Sequence, residues 1–142
     1  MNPLLHLKYP SRIKFAIVFF FAALFLFIVL SVVQSFAQVN VGATPYTTLK
    51  GAFDAINTGT HTGAITITIT GNTTETASAS LDSSGNGTGS NYTSITIQPS
   101  GGAARTISSS IVGYTINLNG ADNVTINGLN TGGNSLTISN SN

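Results

Sequence analysis

Short runs of β-branched residues recur at a nearly constant spacing in the second half of this chain. Ile95, Ile116 and Ile138 follow one another at steps of about 21–22 residues, a length found in repeat architectures. Gly, Pro, Asn and Asp separate the runs. A unit of this length cannot bury its own apolar side, so it has to stack on its neighbours. The spacing therefore predicts an all-β fold, a parallel β-helix in which these three isoleucines form one interior ladder.

An antiparallel β-sandwich is the alternative, because short strands every ~8–12 residues also describe that fold. Two features favour the β-helix. The spacings match each other, and an amphipathic helix ahead of the strands is placed to cap an open end of the core.

The predicted helix covers residues 45–57. Thr44 is a favourable N-cap, and Pro45 is favourable as the first helical residue. The apolar residues that follow recur at spacings of three and four, which places them on one helix face. They are Tyr46, Leu49, Phe53 and Ile56. We expect this face to pack against the core.

One strand and one loop are predicted between the helix and the repeats. In 64–70 isoleucine alternates with threonine, which gives a strand with one apolar face. The next segment, 71–93, has only Leu81 and Tyr92 as large apolar residues. Its Ser- and Gly-rich centre, 83–90, has too little apolar surface to bury, so a mobile surface loop is predicted.

Residues 1–37 have the order of a secretory signal. Three basic residues and no acidic one precede the apolar run 15–33. Ser35 and Ala37 are small, as a signal peptidase requires, so cleavage is predicted before Gln38. The alternative is an uncleaved membrane anchor, since the apolar run is just long enough to span a bilayer. Both interpretations place the rest of the chain outside the cytoplasm, either secreted or at the cell surface.

Charge is scarce in this sequence, because 6% of residues are charged against about 25% in a typical soluble domain. Beyond the leader, the basic residues are Lys50 and Arg105, and the acidic ones are Asp54, Glu75, Asp82 and Asp122. This balance leaves no basic patch for phosphate, which argues against nucleic acid as a partner. Cysteine is absent, so no disulfide can stabilise the exported part.

No catalytic, cofactor-binding or metal-binding residue is predicted. Glycoside hydrolysis needs two carboxylates at a defined separation. The four acids instead fall in separate segments: Asp54 on the helix, Glu75 and Asp82 in the loop, and Asp122 in a turn that its side chain is expected to support. The sequence therefore favours a non-enzymatic role.

The other polar candidates have ordinary structural interpretations. Arg105 is interpreted as a solvated surface charge, and His61 as a loop residue without the partners that a metal site needs. Asn-X-Thr sequences that fit glycosylation acceptors arise by chance in a chain this rich in Asn and Thr. They begin at Asn72, Asn86, Asn91 and Asn123.

Three segments, 46–57, 63–71 and 119–129, resemble the N-terminal part of secreted right-handed parallel β-helix proteins. These proteins have the pectin-lyase-like fold and are common on the surfaces of Gram-negative bacteria. The resemblance covers about residues 40–142 and implies a capping helix followed by the first coils. Because such proteins are usually much longer, 38–142 is expected to be the start of a β-helix that is truncated at its C-terminus.

The functional expectation is an exported structural or adhesion-type surface protein. Its Thr- and Asn-rich face could hold extracellular carbohydrate by hydrogen bonds. The alternative is the non-catalytic N-terminal part of a carbohydrate-active enzyme, a polysaccharide lyase or glycoside hydrolase. Later coils with clustered Asp and a Lys or Arg would favour that alternative.

Overall fold

The computed structural model describes residues 38–85 and 89–142; the predicted leader, 1–37, lies outside them. The described chain belongs to the all-β class and has one short helix. The helix is α1 (Leu49–Asn57). The strands are β1 (Val39–Val41), β2 (Thr44–Tyr46), β3 (Thr62–Ile69), β4 (Thr73–Glu75), β5 (Ala79–Asp82), β6 (Asn91–Pro99), β7 (Ala104–Ser109), β8 (Ile116–Asn119), β9 (Val124–Ile126) and β10 (Ser135–Asn140).

From β3 onward the chain visits three sheets in turn. The first sheet contains β3, β6 and β9, the second contains β4, β7 and β10, and the third contains β5 and β8. Every pairing among these strands is parallel. The chain therefore returns to these sheets in the same order; we call each passage a layer, and the last one described, β9 and β10, adds no strand to the third sheet.

Two antiparallel pairings make the first sheet mixed. The hairpin of β1 and β2 lies on the outer side of β3, in the order β2-β1-β3-β6-β9. The alternative of an antiparallel sandwich is wrong for the described strands, because all the other pairings are parallel.

The predicted ladder of Ile95, Ile116 and Ile138 is wrong. The three residues lie in β6, β8 and β10, which belong to three different sheets. The even spacing of these isoleucines therefore measures the step between different sheets and not a full circuit.

A full circuit is longer than the sequence spacing indicates. In the first sheet, Ile95 lies opposite Ile65 in the preceding layer and Val124 in the following one. In the third sheet, Asn117 lies opposite Ser80, 37 residues away. The difference arises because each circuit contains a third strand and its turns, with few large apolar residues to mark them.

The prediction of a loop over 71–93 is wrong for the parts of that segment that form strands. It contains β4, β5 and the start of β6, and Leu81 and Tyr92 are both buried. Thr73 and Glu75 are also buried, at 1% exposure each. The alternation of apolar and polar residues does not show these strands in the sequence. Some of their inward side chains are polar and have hydrogen-bond partners in the interior. Of the predicted mobile centre, 83–90, residues 86–88 lie outside the described part of the chain.

The capping helix is confirmed, but it begins later than predicted. Thr48 is the N-cap, and its hydroxyl accepts the backbone N–H of Gly51 at 3.1 Å. Residues 44–46 form β2, because they pair with β1. The inward face of α1 is fully buried. It consists of Leu49, Ala52, Phe53 and Ile56.

The core lies between the helix, the β1–β2 hairpin and the first two layers. The alternating isoleucines of β3, predicted to form one apolar face, are buried at 65, 67 and 69. Ile95 and Ile97 of β6 and Ile107 of β7 are also fully buried, and each such side chain contributes about 2–3 kcal/mol of hydrophobic stabilisation. Among the described residues, no helix is long and apolar enough to cross a membrane.

Candidate functional site

Three different groups cover the N-terminal side of the stack: a carboxylate over β4, a side-chain amide over β5 and the strand β1 over part of β3. Over β4, the Glu75 carboxylate accepts the backbone N–H groups of Leu49 and Lys50, at 2.9 and 3.0 Å. Thr73 donates its hydroxyl to the same carboxylate at 2.9 Å. A carboxylate at this place also suits the positive end of the helix dipole. Glu75 is therefore a structural acid that joins α1 to the first layer.

Over β5, a side-chain amide takes the place of a neighbouring strand. Asn57 donates from Nδ2 to the carbonyl of Ser80 at 3.0 Å, and its Oδ1 accepts the N–H of Asp82 at 3.0 Å. The edge of β5 therefore has its donor and acceptor satisfied by the last residue of α1.

Over β3, the cover is incomplete. The strand β1 pairs only with the end of β3, from Ile67 to Ile69. At Gly42 the backbone takes φ 58°, a left-handed conformation that turns the chain away into β2. No strand among the described residues lies on this side of 62–66, so the edge of β3 is open there.

A groove of about 450 Å³ lies along this open edge. Its apolar lining residues are Val41, Ala64 and Ile65, of which Ala64 is exposed, and several hydroxyl groups and one imidazole stand around them. We call this feature the β3 groove. Its lining residues are Val41, Gly42, Thr60, His61, Thr62, Ala64, Ile65 and Thr66.

The His61 ring is held by an aromatic neighbour. Its Nε2 lies 2.6 Å from the Tyr46 hydroxyl, and the rings meet edge to face with centroids 5.8 Å apart. His61 lies in the connection between α1 and β3, as predicted, but sequence reasoning missed its contact with Tyr46. The contact orients the imidazole at the wall of the β3 groove, where it can hydrogen-bond with a ligand.

The outward faces of the sheets are polar and carry few charges. Thr66, Thr96 and Thr125 lie opposite one another on successive strands of the first sheet. On the second and third sheets, outward side chains hydrogen-bond between layers. These pairs are Thr74 with Ser108 at 3.3 Å, Asn117 with Ser80 at 3.4 Å, and Asn119 with Asp82 at 2.9 Å.

Two of the acids act on a buried tyrosine. Burial and the nearby negative charge of Asp122 raise the pKa of Tyr92 above its ordinary value of 10.0, with a smaller contribution from Asp82. The Tyr92 hydroxyl donates to the backbone carbonyl of Asp82 at 2.8 Å. Because this phenol is buried and engaged with the backbone, its role is to hold the turn after β5 against β6.

The other charged groups make local contacts. Asp54 and Lys50 form an exposed ion pair of 2.6 Å on one face of α1. Arg105 donates from Nε to the carbonyl of Ser100 at 3.1 Å, so it braces the turn between β6 and β7. In the part of the chain that the structure describes, no three His, Asp or Glu side chains come together in a group that could hold a metal ion.

Comparison with known proteins identifies no relative of this chain. No protein-family model matches the chain, and neither a curated protein nor a solved structure matches it. Function is therefore argued from the geometry described above.

Proposed function

We propose that residues 38–142 form the capped start of a right-handed parallel β-helix in an exported, adhesive or structural surface protein. The return of the chain to the same three sheets, with parallel pairing between its successive strands in each, supports the β-helix. Right-handedness is expected because parallel crossover connections are right-handed in about 98% of cases. The basic, apolar and small-residue order of 1–37 supports export.

The β3 groove is the observation that favours adhesion. Sugars present apolar C–H faces together with many hydroxyl groups, so they need an apolar floor with hydrogen-bonding groups around it. Ala64 is the exposed apolar residue of the groove, while Thr60, Thr62 and His61 supply the polar groups. Among the described residues, no Asp, Glu, Lys or Arg side chain lines the groove. A neutral carbohydrate is therefore the ligand class that it fits best.

A glycan array probed with the full chain tests this function. Thr62→Val removes one hydroxyl from the β3 groove but keeps the shape and strand preference of the side chain. Thr125→Val is the matched control, because Thr125 is also an exposed strand residue but lies outside the groove. We expect binding to a neutral glycan that weakens in Thr62→Val and persists in Thr125→Val. Absence of binding across the array would overturn the carbohydrate role.

Export is tested separately, by mass spectrometry of protein recovered from outside the cytoplasm. The expected N-terminus is Gln38. Recovery of the chain with Met1 intact in a membrane fraction would support the anchor in place of the cleaved signal, and recovery from the cytoplasm would overturn export.

The alternative role, a non-catalytic part of a carbohydrate-active enzyme, gains no support from the described contacts. Glu75 is committed to α1, Asp54 pairs with Lys50 on the helix surface, and the Tyr92 hydroxyl donates to a backbone carbonyl. We therefore propose the adhesive role in preference to it.

A further inference from the structure

The imidazole that lines the β3 groove makes one described hydrogen bond, and the bond is short. Nε2 of His61 lies 2.6 Å from the Tyr46 hydroxyl. Its other ring nitrogen, Nδ1, has no hydrogen-bond partner among the described residues. Neutral histidine carries one N–H donor and one bare acceptor nitrogen, and the hydrogen bond at one nitrogen fixes the character of the other. The direction of the contact with Tyr46 therefore sets what Nδ1 can do.

The phenol is the better donor in this contact. A phenol oxygen shares its lone pairs with the ring and accepts weakly, whereas a bare imidazole nitrogen is a strong acceptor. If Nε2 carried the proton instead, it would donate to the Tyr46 oxygen, and the phenolic proton would have no acceptor among the described residues. Tyr46 is only half-exposed, so an unused donor there is unfavourable. Donation from Tyr46 to Nε2 uses the hydrogen-bonding capacity of both groups.

Tyr46 is held by its backbone and by packing. It is the last residue of β2, it lies opposite Val39, and its carbonyl accepts the N–H of Gln38 at 3.0 Å. Its ring packs against the hydrophobic core. The same ring meets the imidazole of His61 edge to face, with the two planes 77° apart, an arrangement that aromatic rings prefer. The hydroxyl therefore stays beside Nε2 without a ligand.

The segment that carries His61 is anchored on both sides. Before it, the Thr60 N–H donates to the carbonyl of Ala55 at 2.9 Å, which ties the connection to the end of α1. After it, Thr62 begins β3 and lies opposite Asn91 of β6. The imidazole thus stands between two fixed points of the backbone, and its own contact with Tyr46 fixes how the ring is turned.

We propose that Tyr46 is a positioning residue that holds His61 in the tautomer with its proton on Nδ1. The β3 groove then offers its ligand a fixed N–H donor. A histidine side chain in water prefers the proton on Nε2, so the proposed tautomer needs a partner that occupies Nε2. Tyr46 is that partner.

This tautomer sets a requirement on the ligand, a point that rests on the proposed function. The hydroxyl groups of Thr60 and Thr62 can rotate to donate or to accept, so they suit either kind of ligand atom. His61 cannot adapt in this way, because Tyr46 occupies its acceptor nitrogen. The ligand atom that meets the imidazole must therefore be an acceptor, such as the ether, carbonyl or hydroxyl oxygen of a neutral sugar. The tautomer itself does not depend on that function.

Nitrogen NMR of the ligand-free, ¹⁵N-labelled full chain tests the tautomer. It is recorded at pH values where the imidazole is neutral and its signals no longer change, since a protonated and a bare ring nitrogen then resonate far apart. The wild type is expected to show a bare Nε2 and a protonated Nδ1 at His61. Tyr46→Phe keeps the aromatic ring but lacks the hydroxyl, so the proton should move to Nε2 in most molecules. Tyr114→Phe is the matched control, because it removes the same group from a ring that is 72% exposed, and it should leave the His61 signals unchanged.

Two results would overturn the proposal. The first is a wild-type imidazole protonated on Nε2, and the second is a Tyr46→Phe chain that keeps the wild-type tautomer. If Tyr46→Phe does not fold, the wild-type signals still decide, because a proton on Nε2 excludes Tyr46 as the donor to His61 and a bare Nε2 supports it.

The glycan array, probed with the same two variants, tests the requirement on the ligand. Tyr46→Phe is expected to weaken binding about fivefold, the loss of one hydrogen bond, and Tyr114→Phe to leave it unchanged. Unchanged binding in a Tyr46→Phe chain whose tautomer has shifted would overturn the need for a fixed donor. An array without any binding would overturn the carbohydrate role instead, while the NMR signals of His61 would still decide the tautomer.

Discussion

The Glu75 carboxylate accepts the backbone N–H of Leu49 at 2.9 Å, 26 residues away in the sequence. This bond connects the first turn of the capping helix with a strand of the first layer. Helices usually satisfy their first N–H groups with a local side chain, as Thr48 does here for Gly51. The remote carboxylate fixes where the helix sits as well as satisfying its end.

Replacing Glu75 should destabilise the domain far more than replacing an exposed acid. Glu75→Ala leaves the N–H groups of Leu49 and Lys50 buried or half-buried without their acceptor, and we expect a loss of about 1–3 kcal/mol in the free energy of unfolding. Asp54→Asn is the control. It breaks only an exposed ion pair and should change stability by less than about 1 kcal/mol. Urea denaturation measures both, and equal effects would contradict the capping role.

The side-chain amide of Asn57 should be required for the stability of the domain, because it both donates and accepts a hydrogen bond. Asn57→Asp keeps the shape but turns the donor to the Ser80 carbonyl into an acceptor, so two oxygen atoms face each other. We expect a loss of about 1–3 kcal/mol. Asn91→Asp makes the same chemical change on an exposed side chain and should have little effect. Similar stabilities of the two variants would show that the edge of β5 does not need this contact.

The layer register can be tested by a double-mutant cycle. Ile95 lies opposite Ile65, whereas Ile116 lies opposite Ala79 in another sheet. The conservative changes Ile95→Val and Ile65→Val should be coupled by about 0.5 kcal/mol or more, because the side chains share one packing site. Ile95→Val and Ile116→Val should be additive within that value. If only Ile95→Val and Ile116→Val were coupled, the result would support the register that the sequence spacing predicts.

The elements of this fold that could be predicted from sequence are those in which the spacing of apolar residues is regular within the element itself. The buried face of α1 and the Ile–Thr alternation of β3 carry a clear period, and the structure confirms both. The sequence misplaces the start of α1, because Thr44 and Pro45 are good helix-start residues that instead pair with β1. There the tertiary contact outweighs the local preference.

The register and the groove could not be read from the sequence for a different reason. Thr73 and Glu75 are inward residues that look like loop residues, because their burial depends on partners such as Leu49 that are distant in the chain. The β3 groove likewise exists only because the chain turns away at Gly42. A glycine in a sequence does not tell which strand edge it leaves open.

Tyr92 should make stability depend on alkaline pH. Burial and the charge of Asp122 raise the pKa of its phenol in the folded state above 10.0. Below that value the phenol is protonated in both the folded and unfolded states, so its contribution is fully present. As pH rises from 10 through the folded-state pKa, the unfolded chain loses this proton more readily, and the contribution is lost.

Tyr92→Phe separates this effect from the other titrating groups. The variant lacks the hydrogen bond to the Asp82 carbonyl, so it should be less stable by about 1 kcal/mol near neutral pH. As pH rises above 10, the gap in the free energy of unfolding between wild type and variant should narrow, because only the wild type loses the contribution of this phenol. Tyr114→Phe is the control, since Tyr114 is 72% exposed and should leave the wild-type profile unchanged. Urea unfolding at a series of pH values measures the gap. A gap that stays constant through this range would mean that Tyr92 ionises as easily in the folded chain as in the unfolded one.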